Sequence, residues 1–109
     1  MPFVDTHALP LHQRRPGWLG RYFHSPSLTF AHWDFTAGSA IHEHQHPQEE
    51  VWEVIAGELS VTIAGETQVA GPGMVAIVPP RTEHRVVALS GGKAFVVDWP
   101  LRAMPKPAA

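Results

Sequence analysis

The residues most able to do chemistry are crowded into one short stretch, His42-Glu43-His44-Gln45-His46. Alternate residues of an extended strand share a face, so a spacing of two places His42, His44 and His46 side by side. Pro47 bends or ends that strand, and Glu50 follows four residues after His46. A further histidine, His84, closes the run Val78-Pro79-Pro80-Arg81-Thr82-Glu83-His84. Residues 51–83 are long enough to fold as hairpins that return His84 to the first cluster. Neutral imidazole nitrogens with one carboxylate make a good site for a divalent metal. Burying the same groups unpaired would be costly, which favours a bound cation over an empty polar cluster.

The elements that must position these groups read as strands. Leu28–Phe35 alternates bulky with small or polar residues, and Val51–Ile55 is a β-rich run ending at Ala56-Gly57. Leu59, Val61 and Ile63 alternate with Ser60 and Thr62 up to Ala64-Gly65. Met74–Val78, His84–Leu89 and Ala94–Trp99 complete the series. Short strands punctuated by glycine turns predict an all-β sandwich or barrel. Pro and Gly interrupt every window long enough for an amphipathic helix. Residues 1–27 hold four prolines and little periodicity; they read as an irregular arm with one short strand near Trp18–Phe23. Residues 28–102 form the barrel, and 103–109, rich in Pro and Ala, a flexible tail.

On these residues the chain resembles the cupin superfamily, as a small single-domain metal-binding member. The first cupin signature, G-x5-H-x-H-x3/4-E-x6-G, is matched in full by Gly38, His44, His46, Glu50 and Gly57. The second, G-x5-P-x-G-x2-H-x3-N, is matched by Gly73, Pro79 and His84. Arg81 stands where its Gly is usual and Ala88 where its Asn is usual. The resemblance covers roughly residues 28–100. It implies a double-stranded β-helix, or jelly-roll, barrel with metal ligands at His44, His46, Glu50 and His84. At Arg81 the turn must either adopt an ordinary φ or store about 1 kcal/mol of strain.

Strand parity puts His42 on the ligand face, where it is the candidate catalytic acid or base. Trp52 and Val54 share parity with Glu50 and are expected to wall the substrate pocket. Glu43, Glu49, Glu53 and Glu58 read as a solvated acidic face, and Arg14 and Arg15 as a solvated basic pair. His7, His12, His24 and His32 have no partners by spacing. Asp98 and Arg102, at the end of the last strand, are similar only weakly to a pocket-bordering segment of some sugar-processing cupins. One divalent transition metal (iron, manganese, nickel, copper or zinc) is implied. With it, a bound enolate, carbonyl or carboxylate could react with dioxygen as in dioxygenase cupins. Alternatively, a Lewis-acid metal could support isomerisation, cyclisation or elimination of a sugar-acid type substrate. A non-catalytic ligand-binding or sensor cupin is a third reading.

Composition narrows the partners. The 109 residues make one domain, and 8 Lys+Arg against 10 Asp+Glu leave a formal charge of −2, without the basic clustering of a nucleic-acid footprint. No apolar run approaches the ~20 residues of a membrane span, and no signal peptide is apparent, so a cytoplasmic location is expected. The absence of Cys excludes disulfides, thiol catalysis and thiolate-held metals. A small-molecule substrate and a homodimer are the expected partners, with no nucleic acid and no membrane. The apolar Trp18, Leu19, Tyr22 and Phe23 are available to pack on the barrel or on a second copy.

Overall fold

A computed structural model describes residues 3–103. Ten strands follow a short 3₁₀ turn at Thr6–Ala8: β1 (His12–Arg15), β2 (Trp18–His24), β3 (Thr29–Phe35), β4 (Ala40–His44), β5 (Glu49–Ala56), β6 (Leu59–Ile63), β7 (Glu66–Ala70), β8 (Val75–Val78), β9 (His84–Ala88) and β10 (Gly92–Trp99). They form two antiparallel sheets, one of six strands in the order β1-β2-β3-β10-β5-β8 and one of four in the order β4-β9-β6-β7. This is the all-β architecture expected of the alternating pattern, in the jelly-roll form that the resemblance implies. Among the described residues no helix is long and apolar enough to cross a membrane.

Period-two burial packs the sheets together. On β3, Thr29, Ala31, Trp33 and Phe35 point inward, and on β10 so do Ala94, Val96 and Asp98. Trp18, Trp33 and Trp52 fill the six-stranded side of the core, while Leu59, Val61 and Val86 come from the other sheet. Ala88, at the position where Asn is usual, is 1% exposed in this core, so the small apolar side chain suits its surroundings.

The arm expected to be irregular is sheet in its second half, where β1 and β2 extend the larger sheet through β3. Its prolines fall outside the strands: Pro10 precedes β1, Pro16 lies between β1 and β2, and Pro26 between β2 and β3. Gly20 carries much of the fit. It lies opposite Trp33, and a Cβ there would come within 2.3 Å of the indole. The strand β7 was not expected, because four of its five residues are exposed and show no apolar alternation. It is paired to β6 by the two-residue turn Ala64-Gly65, both at positive φ (50° and 82°). Of the expected tail, all but Ala103 lies outside the described residues.

Candidate metal centre

One end of the sandwich gathers the polar residues that the core excludes. On the four-stranded sheet, His44 of β4 lies directly opposite His84 of β9. On the six-stranded sheet, Glu50 of β5 lies directly opposite Asp98 of β10. His46 comes from the connection between β4 and β5. The imidazoles of His44 and His84 have centroids 4.2 Å apart, and those of His46 and His84 are 5.0 Å apart.

All three imidazoles are held in the same manner. Nδ1 of His44 donates to the His42 carbonyl at 2.8 Å, Nδ1 of His46 to the Gln48 carbonyl at 3.1 Å, and Nδ1 of His84 to the Thr82 carbonyl at 2.8 Å. A carbonyl can only accept, so each Nδ1 carries a proton, and on a neutral ring Nε2 keeps its lone pair. Burial lowers the His84 pKa, but Glu50 beside it and the Thr82 carbonyl outweigh this and raise it, so its Nε2 is freed for a metal by loss of a proton. One ligand atom from each of these rings lies within 4.8 Å of the others. Nε2 of His46 and of His84 approach Glu50 at 3.4 and 3.1 Å, outside hydrogen-bonding geometry, and both are buried without a hydrogen-bond partner. Buried polar atoms are normally satisfied. Converging lone pairs on rings whose other nitrogen is tied to a carbonyl are what a metal ligand requires. The residues present therefore fit a divalent metal. Burial, aided by the nearby His84 and Arg102, lowers the pKa of His44 to about 4, so its lone pair stays free at neutral pH.

The six-stranded side is built from charges. Glu50 is 2% exposed; its Oε1 accepts from Arg102 Nη1 at 3.0 Å and its Oε2 from Trp52 Nε1 at 2.6 Å. Burial pushes the Glu50 carboxyl upward, but its contacts with His46, His84, Asp98 and Trp52 outweigh this and hold it well below the usual carboxylate range. Asp98 behaves oppositely: burial first, then the Glu50 charge, push it up to about 8. Its Oδ1 has no hydrogen-bond partner, and Oδ2 lies 3.9 Å from Arg102. Arg102 is anchored by its backbone N–H, which donates to the buried Thr29 hydroxyl at 2.8 Å. Gln48 fixes the same segment by donating to the Leu101 carbonyl. A cavity of about 20 Å³ lies among Arg14, His44, Glu50, Trp52, Asp98 and Arg102, room for about one water-sized guest.

The "Cupin domain" family model matches residues 31–100. The chain belongs to the cupin family. Solved cupin structures superimpose along nearly its whole length. An RmlC-like cupin from Shewanella frigidimarina NCIMB 400 is 23% identical, with a TM-score of 0.87 over 94% of this chain and 93% of that one. KdgF from Halomonas sp. is 26% identical, with a TM-score of 0.86 over 94% and 96%. A salicylate 1,2-dioxygenase from Pseudaminobacter salicylatoxidans is 19% identical, with a TM-score of 0.75 over 80% of this chain and 27% of that one. No curated protein sequence matches the chain.

The cupin barrel brings His44, His46, Glu50 and His84 together, but it treats His42 differently from the parity argument. The β4–β9 register shifts between Ile41 and His44, so Ile41 and His44 both turn toward the interior while His42 is exposed. Its ring stays 5.9 Å from that of His44, at the rim. Trp52 does line the cavity, as a hydrogen-bond donor to Glu50. Val54 lies deeper, in the apolar core, and is not among the cavity residues. Glu43, Glu49, Glu53 and Glu58 are all exposed. His32 faces the outside of the larger sheet and stacks on Phe95. Arg14 corrects another expectation: it is not simply solvated but reaches the cavity. Arg81 keeps the left-handed conformation of the usual Gly, at φ 55°, and its N–H donates to the His46 carbonyl at 2.8 Å.

Proposed function

We propose that this cupin is a divalent-metal-dependent enzyme acting on a small organic substrate that presents a carbonyl, enolate or carboxylate oxygen to the centre. The observation that best supports this is the pair of buried, partnerless Nε2 atoms on His46 and His84, gathered with His44 while every Nδ1 is tied to a carbonyl. The ligands in this reading are His44, His46, His84 and Glu50. Nitrogen and oxygen donors accept iron, manganese, nickel, copper or zinc. A metal bound there would supply a Lewis acid for a substrate oxygen.

The chain's own residues shape the rest. The 20 Å³ cavity admits only the compact reacting end of a substrate and leaves little room for water beside it. Asp98 borders the cavity with one carboxyl oxygen free of partners, placed to take or return a proton at a carbon next to the polarised oxygen. This group favours isomerisation, cyclisation or elimination over dioxygenase-like chemistry, which needs no such residue. The likeness to the salicylate dioxygenase fold keeps the oxidative reaction as the second reading.

The test is a panel of enolisable keto acids and enediols offered to metal-reconstituted protein in deuterium oxide. The expected result is solvent deuterium at the carbon beside the carbonyl, lost in His46→Ala and in Asp98→Asn. Oxygen uptake by the iron form without deuterium exchange would select the dioxygenase reading. Substrate binding with neither exchange nor uptake would select a non-catalytic ligand-binding cupin.

A further inference from the structure

One cation at the cavity has nothing to pair with. In the β1–β2 ladder Gln13 pairs with Leu19 and Arg15 with Trp18, so the register shifts and Arg14 is the extra residue of a β-bulge. Bulges re-aim a side chain, and they recur beside functional sites. Here the half-buried Arg14 lines the same cavity as His44, Glu50, Asp98 and Arg102. It shares the cavity with Glu50 and Asp98 but is in direct contact with neither. Both Glu50 oxygens are engaged, by Arg102 and by Trp52, and no described residue forms a hydrogen bond or direct ion pair with Arg14. Burial, and then the Arg102 and Arg15 charges, lower its pKa, as crowding among like charges should.

A half-buried guanidinium with no direct partner favours an anion, and its planar fork matches a carboxylate. Of the two arginines and two carboxylates on the cavity, only Arg102 and Glu50 are joined by a hydrogen bond, so the Arg14 fork stays open to an incoming anion. The free space of about 20 Å³, room for about one water, favours the smaller carboxylate over a phosphate.

We infer that Arg14 is a substrate-binding residue that, together with Arg102, receives a carboxylate of the substrate at the cavity. The inference rests on the enzyme reading above and sharpens it: the substrate class becomes small organic acids, with the carboxylate at the arginines and a second oxygen directed at the histidines. Arg14 belongs to the N-terminal hairpin, outside both cupin signatures, so the hairpin is part of the site and not only an edge of the sheet.

The probes are glycolate and its neutral counterpart glycolamide, titrated calorimetrically at constant pH into zinc-loaded protein, with zinc content measured on the same samples. Arg14→Gln should bind zinc like the wild type and glycolate roughly tenfold more weakly. Glycolamide affinity should be unchanged, and Arg14→Lys should recover part of the glycolate affinity. Equal glycolate affinity in wild type and Arg14→Gln would overturn the inference, as would tighter binding of inorganic phosphate than of glycolate by the wild type. A wild type that takes up no zinc would instead defeat the metal-enzyme reading, and glycolate binding to that metal-free protein would still report on Arg14. Matching thermal transitions of the variants would exclude misfolding as the source of any loss.

Discussion

The two sheets contribute to the cavity in opposite ways. The four-stranded sheet and the connection after it bring imidazoles, their Nδ1 protons spent on carbonyls and their Nε2 atoms facing inward. The six-stranded sheet brings ions: Glu50 paired to Arg102, Asp98 beside them, and Arg14 from the bulge. The imidazole side is poised to bind something positive. The ionic side is largely compensated, except that Arg14 has no direct partner. A metal and an organic anion thus find separate walls of one small space.

The contrast can be broken from either side. The largest expected effect is on the ionic wall. Glu50→Ala takes the closest partner from the half-buried Arg102 and leaves Trp52 Nε1 without its acceptor, and should lower the stability of metal-free protein by about 3 kcal/mol in urea unfolding. His84→Ala removes a ring whose Nε2 makes no hydrogen bond, and should cost about 1–2 kcal/mol in the same assay. Comparable losses in the two variants would mean that the walls do not differ as described.

Adding metal should reverse the ranking. At a hundredfold excess over its Kd, a divalent ion should raise wild-type stability by about 2.7 kcal/mol, and that of His84→Ala by nothing. The pH response of metal-free protein should also divide by wall. Asp98, at about 8, is raised above its unfolded value, so the folded chain holds a proton that the unfolded chain lacks. Its contribution is lost as pH rises from about 4 to 8; above about pH 6.5, where His44 no longer offsets it, stability should fall by at most about 2 kcal/mol. Asp98→Asn should flatten that fall. His44, lowered to about 4, has the opposite sign: its contribution is present above its unfolded value and is lost as pH falls from about 6.5 toward 4.

The smallest effect concerns the turn that joins the second signature to the ligand loop. Arg81→Gly should raise stability by less than about 1 kcal/mol, because relief of the left-handed strain is offset by the freedom Gly gains in the unfolded chain. Its zinc affinity should match wild type, since the backbone N–H at position 81 that donates to His46 is kept.

How much was legible in the sequence follows the same division. His44, His46, Glu50 and His84 announce themselves by spacing, because strand periodicity and a fixed signature act over short stretches of chain. His42 was misplaced because a bulge shifts parity by one residue, and nothing local in Ile41-His42-Glu43 marks it. The ionic wall depends on long-range pairing: Asp98 meets Glu50 only through the β5–β10 register, and Arg102 is aimed by an anchor on Thr29. Arg14 was hidden by an ordinary Arg-Arg pair, whose bulge emerges only when β1 pairs with β2. Strands β1 and β7 were missed because β1 is short and charged, while β7 is exposed on both faces; their pairing partners, not their own pattern, make them strands.

The central claim is that three imidazoles present Nε2 to one metal. Long-range proton–nitrogen NMR of the histidine rings, recorded without and with one equivalent of zinc, tests it most directly. His44, His46 and His84 should all be Nδ1-protonated before zinc, and all three Nε2 resonances should then shift to the metal-bound range while exposed His7 and His42 stay unchanged. Nε2-protonated rings in the free protein, or zinc that binds without moving these three signals, would contradict the account.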